Sequence, residues 1–373
     1  MIAKDPIEPR IEPPVEPPVE PRIEPPAEPP VEPPAEPPVE PRIEPPVEPR
    51  TEPRSAAPTE PRIAMEEVPC PLGCAPGDRL VLEGFDRLQG LPGRFRVVEC
   101  ASCGLLRTNP RPTPESMSFY YGAGYLPYHS SRPRARLGAE LVDRLLLAEA
   151  VPPLPPGSML EVGCASGGFL RRMARRGWRV TGIERSEEAA GACAALGYRV
   201  HAGTLETAPE GCGEFDLVAG WMVLEHLHDP VGGLEKLYSW TKPGGWLALS
   251  VPNAACRERR RFGDAWFPLH LPNHLFHFTP ATLRRMLERA GWEVQRIALQ
   301  RHLGDLIAST GYVLQDRRRL AALSRLLVSW PWRGGRLNLA LLPLSYPLSL
   351  LGQTARMTAW ARKARTGGGA GAR

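Results

Sequence analysis

Four cysteines fall in two close pairs, Cys70 and Cys74 in CPLGC and Cys100 and Cys103 in CASCG. Thiolates at such spacing complete a tetrahedral zinc site, and the glycine after the second pair permits the knuckle turn. Three residues rather than two separate the first pair, so a degenerate ribbon with free thiols is the alternative. A second chemistry gathers in SMLEVGCASGGFL, residues 158–170. An apolar run carrying Glu161 breaks at Gly163, passes through Cys164 and Ala165, and restarts at Gly167-Gly168 into a helical pattern. That is a strand, a tight turn and a helix start, the nucleotide-cradling corner of a doubly wound sheet. A dinucleotide fingerprint would read G-x-G-x-x-G and rest a pyrophosphate on the helix N-terminus; the order here is E-x-G-x-x-x-G-G. The third group is histidine-rich. Glu225-His226 follows a predicted strand, and WFPLHLPNHLFHFTP carries His270, His274 and His277. Histidine titrates near neutral pH, so Glu225, His226 and His274 are candidates for a general base or for metal binding. His270 and His277 read as packing residues, and no spacing here demands a metal.

The elements that must position these groups alternate regularly from residue 158. WRVTGIE (178–184) reads as the second strand and ends in Glu184, 21 residues after Gly163. An acid there suits a bidentate hydrogen bond to the two ribose hydroxyls of an adenosine. A helix capped by Ser186 follows, then YRVHAG as the third strand and FDLVAGWMVLEHLHDP as the fourth, which opens onto the site. Asp229-Pro230 starts the next helix, and TKPGGWLALSVPN is a turn and a fifth strand. RMTAWARKA (356–364) suits a last antiparallel strand beside WEVQRIAL (292–299), which makes the residues between them an insertion. The fold class is α/β, a doubly wound Rossmann-like sheet, mostly parallel with the last strand antiparallel. A small zinc-ribbon-like unit and a proline-rich arm precede it.

The corner resembles the first motif of class I S-adenosylmethionine (SAM) methyltransferases, D/E-x-G-x-G-x-G. GIERS, FDLVAGWMVLEHLHDP and KPGGWLALSVPN are similar to their counterparts in the ubiquinone-methyltransferase-like group. The VVECASCGLL…YYGAGY stretch resembles the zinc-binding N-terminal segment of a subset of that group, found with polysaccharide or secondary-metabolite pathways. The resemblance spans roughly residues 68–300. It implies SAM as cofactor, with Glu161, Gly163, Cys164, Ala165 and Gly167 lining the methionine side. It further implies that Glu184 binds ribose, that Thr204 and Leu205 edge the adenine, and that Gly220 and Trp221 border the donor sulfur.

Composition divides the chain. Residues 7–54 are twelve consecutive tetrads of the form [IVAT]-E-P-[PR], so 1–64 is expected to be a disordered, polyproline-II-rich arm. Met65 directly after it is an alternative translation start. The remaining boundaries are a zinc-ribbon-like unit at 65–125, a helical lead-in and linker at 126–157, and the SAM-binding core at 158–300. An apolar helical insertion at 301–354, a final strand at 355–365 and a flexible tail at 366–373 complete the chain. The net charge of +5 hides an asymmetry: residues 1–64 carry −7 and residues 301–373 carry +10. Residues 65–125 hold six bases and seven acids, no electrostatic footprint for nucleic acid, so a nucleic-acid partner is not expected. The N-terminus lacks the apolar stretch of a secretory signal, and paired cysteines suit a reducing compartment, so the expected location is cytoplasmic.

These features point to a SAM-dependent methyltransferase of a small-molecule acceptor: a saccharide, a lipid-linked compound or a quinone-type compound, methylated on oxygen. An rRNA base methyltransferase with an N-terminal zinc ribbon is the alternative enzyme, and a non-catalytic SAM-fold interaction module is the alternative outside enzymes. Leu337 to Ala355 is uncharged, near the length of a membrane span, but Pro343 and Pro347 argue for a broken helical cap. Two readings of 301–355 follow, a substrate lid or a contact with the inner membrane face.

Overall fold

The computed structural model describes residues 63–121, 151–209, 213–318, 320–333 and 335–365. The tetrad arm up to Arg62, the lead-in helix expected within 133–150 and the tail from 366 lie outside the described residues.

The cysteine-bearing region contributes β1 (Met65–Glu66), β2 (Asp78–Gly84), β3 (Phe95–Cys100), β4 (Leu106–Thr108) and β5 (Arg111–Pro112), then a 3₁₀ turn at Ser116–Tyr121. Next come β6 (Ser158–Val162), α1 (Gly168–Ala174), β7 (Arg179–Glu184), α2 (Glu187–Ala195), β8 (Arg199–Ala202) and β9 (Phe215–Trp221). They are followed by α3 (Pro230–Ser239), β10 (Thr241–Pro252), α4 (Arg257–Phe262), β11 (Phe276–His277), α5 (Pro280–Arg289) and β12 (Glu293–Leu299). Helices α6 (Gly304–Asp316), α7 (Ala321–Val328), α8 (Trp330–Arg333) and α9 (Leu342–Leu350) precede β13 (Arg356–Arg362).

Seven strands form the main sheet in the order β12-β13-β10-β9-β6-β7-β8. β6 to β10 run parallel, while β13 is antiparallel to both β10 and β12. The central strands are apolar on both faces, as strands covered by helices on both sides must be: Met159, Leu160, Leu217, Val218 and Ala219 are fully buried. β6 lies between β7 and β9, so the chain leaves the first strand in opposite directions on its two sides. A crevice opens there at the carboxyl ends of the strands, where ligands bind in such sheets. Ser186 caps α2 by accepting from the Ala189 N–H, and Asp229 caps α3 by accepting from the Gly232 N–H.

The expectation of a separate unit at 65–125 meets a different arrangement. The small sheet has four strands in the order β11-β4-β3-β2, and its outermost strand comes from the histidine-rich segment. Phe276 pairs with Arg107 and His277 with Leu106. β4 presents an unpaired edge whose N–H and C=O groups need partners once buried, and β11 supplies them. The Thr108 N–H donates to the Leu275 carbonyl at 2.9 Å and its hydroxyl to the His274 carbonyl at 2.8 Å. One apolar cluster then runs through both regions, joining Phe95, Leu105, Met117 and Tyr120 to Trp266, Leu275 and Phe276. A two-residue strand has no period of its own, which is why the sequence pattern did not mark it.

The residues between β12 and β13 form helices α6 to α9. Asp305 on α6 is fully buried and takes a bidentate bond from Arg356 at 2.6 and 2.7 Å, which ties the insertion to the start of β13. Gly311 permits α7 to cross closely, since a Cβ there would sit 2.8 Å from the Val328 side chain. Several leucines of α7 and α9 face outward: Leu326 is 49% exposed and Leu350 73%. Among the described residues no helix is long and apolar enough to cross a membrane.

Candidate functional site

The corner after β6 is built on left-handed backbone. Gly163 has φ +70° and Gly167 φ +73°; a Cβ at these positions would stand 2.8 Å from Val223 Cγ2 and 2.9 Å from Cys193 Sγ. Ala165 takes φ +45° between them, a conformation that costs a residue with a Cβ on the order of 1–3 kcal/mol. Glu184 at the end of β7 braces that turn. Its carboxylate accepts the Ala165 N–H at 2.7 Å and the Ser186 N–H at 2.9 Å. A carboxylate has about four lone-pair positions, so capacity for two ribose hydroxyls remains.

Glu161 is buried, its Oε2 meets no partner, and burial pushes its pKa well above the usual carboxyl range. The Trp221 indole stands edge-on to Phe169 with centroids 5.1 Å apart, and its buried Nε1 also lacks a partner. Gly220, paired with Val162 across the crevice strands, leaves no room for a Cβ beside Leu249. Two residues of the expected lining turn away. Cys164 Sγ lies under Gly182, and Leu205 packs in the core against Gly233. They can meet a cofactor only through their backbone. The Thr204 N–H donates to Thr207 Oγ1 at 2.9 Å, which shapes the turn after β8. Left-handed glycines, a braced acid and unpartnered polar atoms at one crevice fit an adenosyl sulfonium cofactor.

Beyond Trp221 the backbone is strained again, with Met222 at φ +58°, and a 3₁₀ turn carries Glu225 and His226. Glu225 points into the interior, fully buried with neither carboxyl oxygen hydrogen-bonded, and burial lifts its pKa to about 8. His226 is half-buried, and burial lowers its pKa to about 4. His270, left-handed at φ +41°, and His274 close over it; the His226–His274 ring centroids are 4.6 Å apart.

Carbonyl acceptors settle the tautomers here. His274 Nδ1 lies 2.8 Å from the Pro268 carbonyl and must donate, so its Nε2 accepts from His270 Nδ1 at 3.3 Å. The same Nε2 stands 4.0 Å from Glu225 Oε1. Burial drives His274 well below the ordinary histidine range and His270 to about 3. The cluster is therefore neutral at pH 7: protonated acid, uncharged rings. Ligand atoms of Glu225, His226 and His274 lie within 4.8 Å of one another, a spacing that a cation could also bridge. His277 sits apart in β11, buried with both ring nitrogens unpartnered.

The sulfurs of Cys70, Cys74, Cys100 and Cys103 lie within 4.8 Å of one another, and Cys70 and Cys103 are 3.6 Å apart. A tetrahedron of Zn–S bonds of about 2.3 Å has edges of about 3.8 Å. The three-residue gap is absorbed by a turn in which the Gly73 N–H bonds the Cys70 carbonyl, with Gly73 at φ +73°.

Strand order, corner and acid together define a Rossmann-like sheet of the class I methyltransferase type. Residues 130–297 match the model of the methyltransferase domain family. A ubiquinone biosynthesis O-methyltransferase of Aromatoleum aromaticum is 35% identical over 102 residues, 26% of this chain and 44% of that protein. One from Xanthomonas axonopodis pv. citri is 31% identical over 159 residues, 39% of this chain and 66% of that protein. One from Thiobacillus denitrificans is 29% identical over 168 residues, 41% of this chain and 72% of that protein. The chain thus spans about half to two thirds of the length of the first two. Among solved structures, the cyclopropane synthase MmaA2 from Mycobacterium tuberculosis aligns at TM-score 0.39 and 17% identity, covering 63% of this chain and 85% of that one.

Tyr121 was not among the expected site residues. Its hydroxyl lies 2.7 Å from His226 Nδ1, a meeting across 105 positions of sequence for which the tyrosine-rich run at 118–129 was the only signal.

The lifted pKa of Glu225 has a thermodynamic signature. A carboxyl raised from 4.5 to about 8 on folding contributes stability that is fully present below 4.5 and is lost as pH rises through 8. Glu225→Gln keeps the neutral shape at every pH. The variant should gain on the wild type between pH 5 and 8, on the order of 1.4 kcal/mol per pH unit, in urea midpoints at the two pH values. A parallel pH dependence of the two proteins would contradict a neutral buried Glu225.

Proposed function

We propose that this chain transfers a methyl group from SAM to a hydroxyl oxygen of a small quinone-type acceptor. The observation that carries the reading is His226: half-buried, uncharged, and five residues past Trp221 at the carboxyl end of β9. Bound SAM supplies an electrophilic methyl on a sulfonium. Glu161, Gly163, Ala165 and Gly167, with the backbone of Cys164, hold the methionine end. Glu184 takes the ribose, the turn at Thr204-Leu205 edges the adenine, and Gly220 and Trp221 border the reacting sulfur. His226 accepts the hydroxyl proton. Glu225 and His274 behind it stay uncharged, so the proton arriving on the imidazole meets no carboxylate or second imidazolium from them. The printed names of the relatives favour a quinone-type acceptor over a saccharide. Labelled SAM incubated with the protein and a fractionated lysate should place label in the lipid fraction. His226→Ala should cut incorporation about 10²–10⁴-fold while SAM binding persists. Label in RNA would favour the rRNA reading, and none at all the interaction module.

The four cysteines are read as a structural zinc site. Elemental analysis should give one zinc per chain, and Cys100→Ser should release it while leaving SAM affinity in place. Full-length protein that holds no zinc would remove this reading.

The insertion is read as a contact with an anionic membrane surface rather than a lid alone. Leu320, Leu323, Leu326, Leu344, Leu350 and Leu351 are exposed on it, with Arg317, Arg318, Arg325 and Arg333 among them. Each arginine near such a surface contributes about 1 kcal/mol. The protein should pellet with phosphatidylserine-containing vesicles at low salt and less so at high salt; remaining in the supernatant at both would leave the lid.

A further inference from the structure

The cysteine-bearing region reaches the histidine cluster through one side chain. Tyr121 closes the 3₁₀ turn 116–121, directly after the buried Tyr120. The Tyr120 ring is fully buried edge-on to Phe95 of β3, centroids 5.7 Å apart, and its hydroxyl donates to the Pro92 carbonyl at 2.9 Å. The Tyr120 carbonyl accepts from Asn273 Nδ2 at 3.0 Å and from Gln89 Nε2 at 2.9 Å. Tyr121 is thus delivered to a fixed place. The guanidinium of Arg185, the residue after Glu184, lies 4.6 Å over its ring, and its hydroxyl is 2.7 Å from His226 Nδ1.

That same Nδ1 is 2.9 Å from the Asn273 carbonyl. A carbonyl has no proton to give, so Nδ1 carries the hydrogen and the tyrosine oxygen shares it in a three-centre bond. In a neutral imidazole this leaves Nε2 as the unprotonated nitrogen. Two acceptors converging on one N–H also define the plane of the ring, which a single carbonyl does not.

We propose that Tyr121 is a positioning residue for methyl transfer. The Asn273 carbonyl sets His226 as the Nδ1–H tautomer, and Tyr121 fixes the orientation of that ring, with Nε2 as the proton-accepting nitrogen. The inference rests on the reading of His226 as the acceptor-side base. It gives the cysteine-bearing region a part in the chemistry: β3 packs Tyr120, and Tyr120 places Tyr121.

The test uses the full chain with ¹⁵N-labelled histidine. Long-range ¹H–¹⁵N correlation reads which ring nitrogen is protonated, and His226→Gln assigns the signals. The wild type should show His226 with a protonated Nδ1 and a bare Nε2. In Tyr121→Phe, which keeps the ring beneath Arg185, Nδ1 should stay protonated through the Asn273 carbonyl while its nitrogen and proton shifts move, because one of its two acceptors is gone. SAM affinity by calorimetry should stay within about twofold, because no cofactor contact is removed. Methyl transfer to a catechol probe should fall about tenfold or more in kcat with an unchanged KM for SAM, the cost of a misoriented group. Unchanged ¹⁵N shifts in Tyr121→Phe would overturn the proposal, as would a shift accompanied by lost SAM binding. If the wild type does not methylate catechol, the quinone-type acceptor fails, while the nitrogen shifts still decide the role of Tyr121.

Discussion

Leu275 is the residue on which three parts of the molecule close. Its N–H donates to the Glu225 carbonyl at 2.8 Å, and its carbonyl accepts the Thr108 N–H at 2.9 Å. The turn after β9, the histidine-rich segment and the edge of the cysteine-bearing sheet thus share one peptide unit on either side of one side chain. Such groups buried without partners would each cost on the order of 1–3 kcal/mol. None of the three segments can move without exposing another's backbone. The cysteine-bearing region is for this reason part of the frame of the crevice.

A second constraint is that burial outweighs the charges around that cluster: Arg356 draws on Glu225 and Arg185 repels a proton from His226, yet desolvation is the larger cause in both. Glu225 is buried without a hydrogen bond, and the nearest ring nitrogen on His274 is 4.0 Å away. Ionising an isolated buried carboxyl is costly, so the proton stays, and the same burial strips protons from the histidines. The polarity of the pocket is then carried by oriented dipoles and strained backbone at Met222 and His270. Fixed dipoles suit the transfer of a proton over a short distance, because preorganised groups need not reorient when the proton shifts.

The sheet was legible because its strands are long apolar runs separated by glycine turns, and because Glu184 ends the second strand, where its carboxylate braces the turn at Ala165. Residues along the motif could be placed on the backbone but not aimed. Cys164 and Leu205 lie at the positions the pattern assigns them, yet their side chains serve the core, since close packing against Gly182 and Gly233 outweighs any contact with a ligand. The adjacent pair Glu225-His226 shows the same limit. On a 3₁₀ turn neighbours diverge by about a third of a turn, and the carboxyl entered the interior while the imidazole stayed at the crevice. β11 was invisible because two residues carry no periodicity. Tyr121 was invisible because its partner is remote in sequence and no motif links them.

The insertion enters and leaves the sheet at one place. Leu299 pairs with Met357, and the Gln300 N–H donates to the Arg356 carbonyl at 2.9 Å, so the ends of the insertion are antiparallel neighbours. Topologically, β12 and β13 are a hairpin whose loop has grown into four helices. A loop whose two ends meet at a paired step can vary in length at little entropic cost, since closure entropy rises only with the logarithm of length. The hairpin step is thus a graft point: the pairing of β12 with β13 closes the sheet whatever length of chain the crown holds.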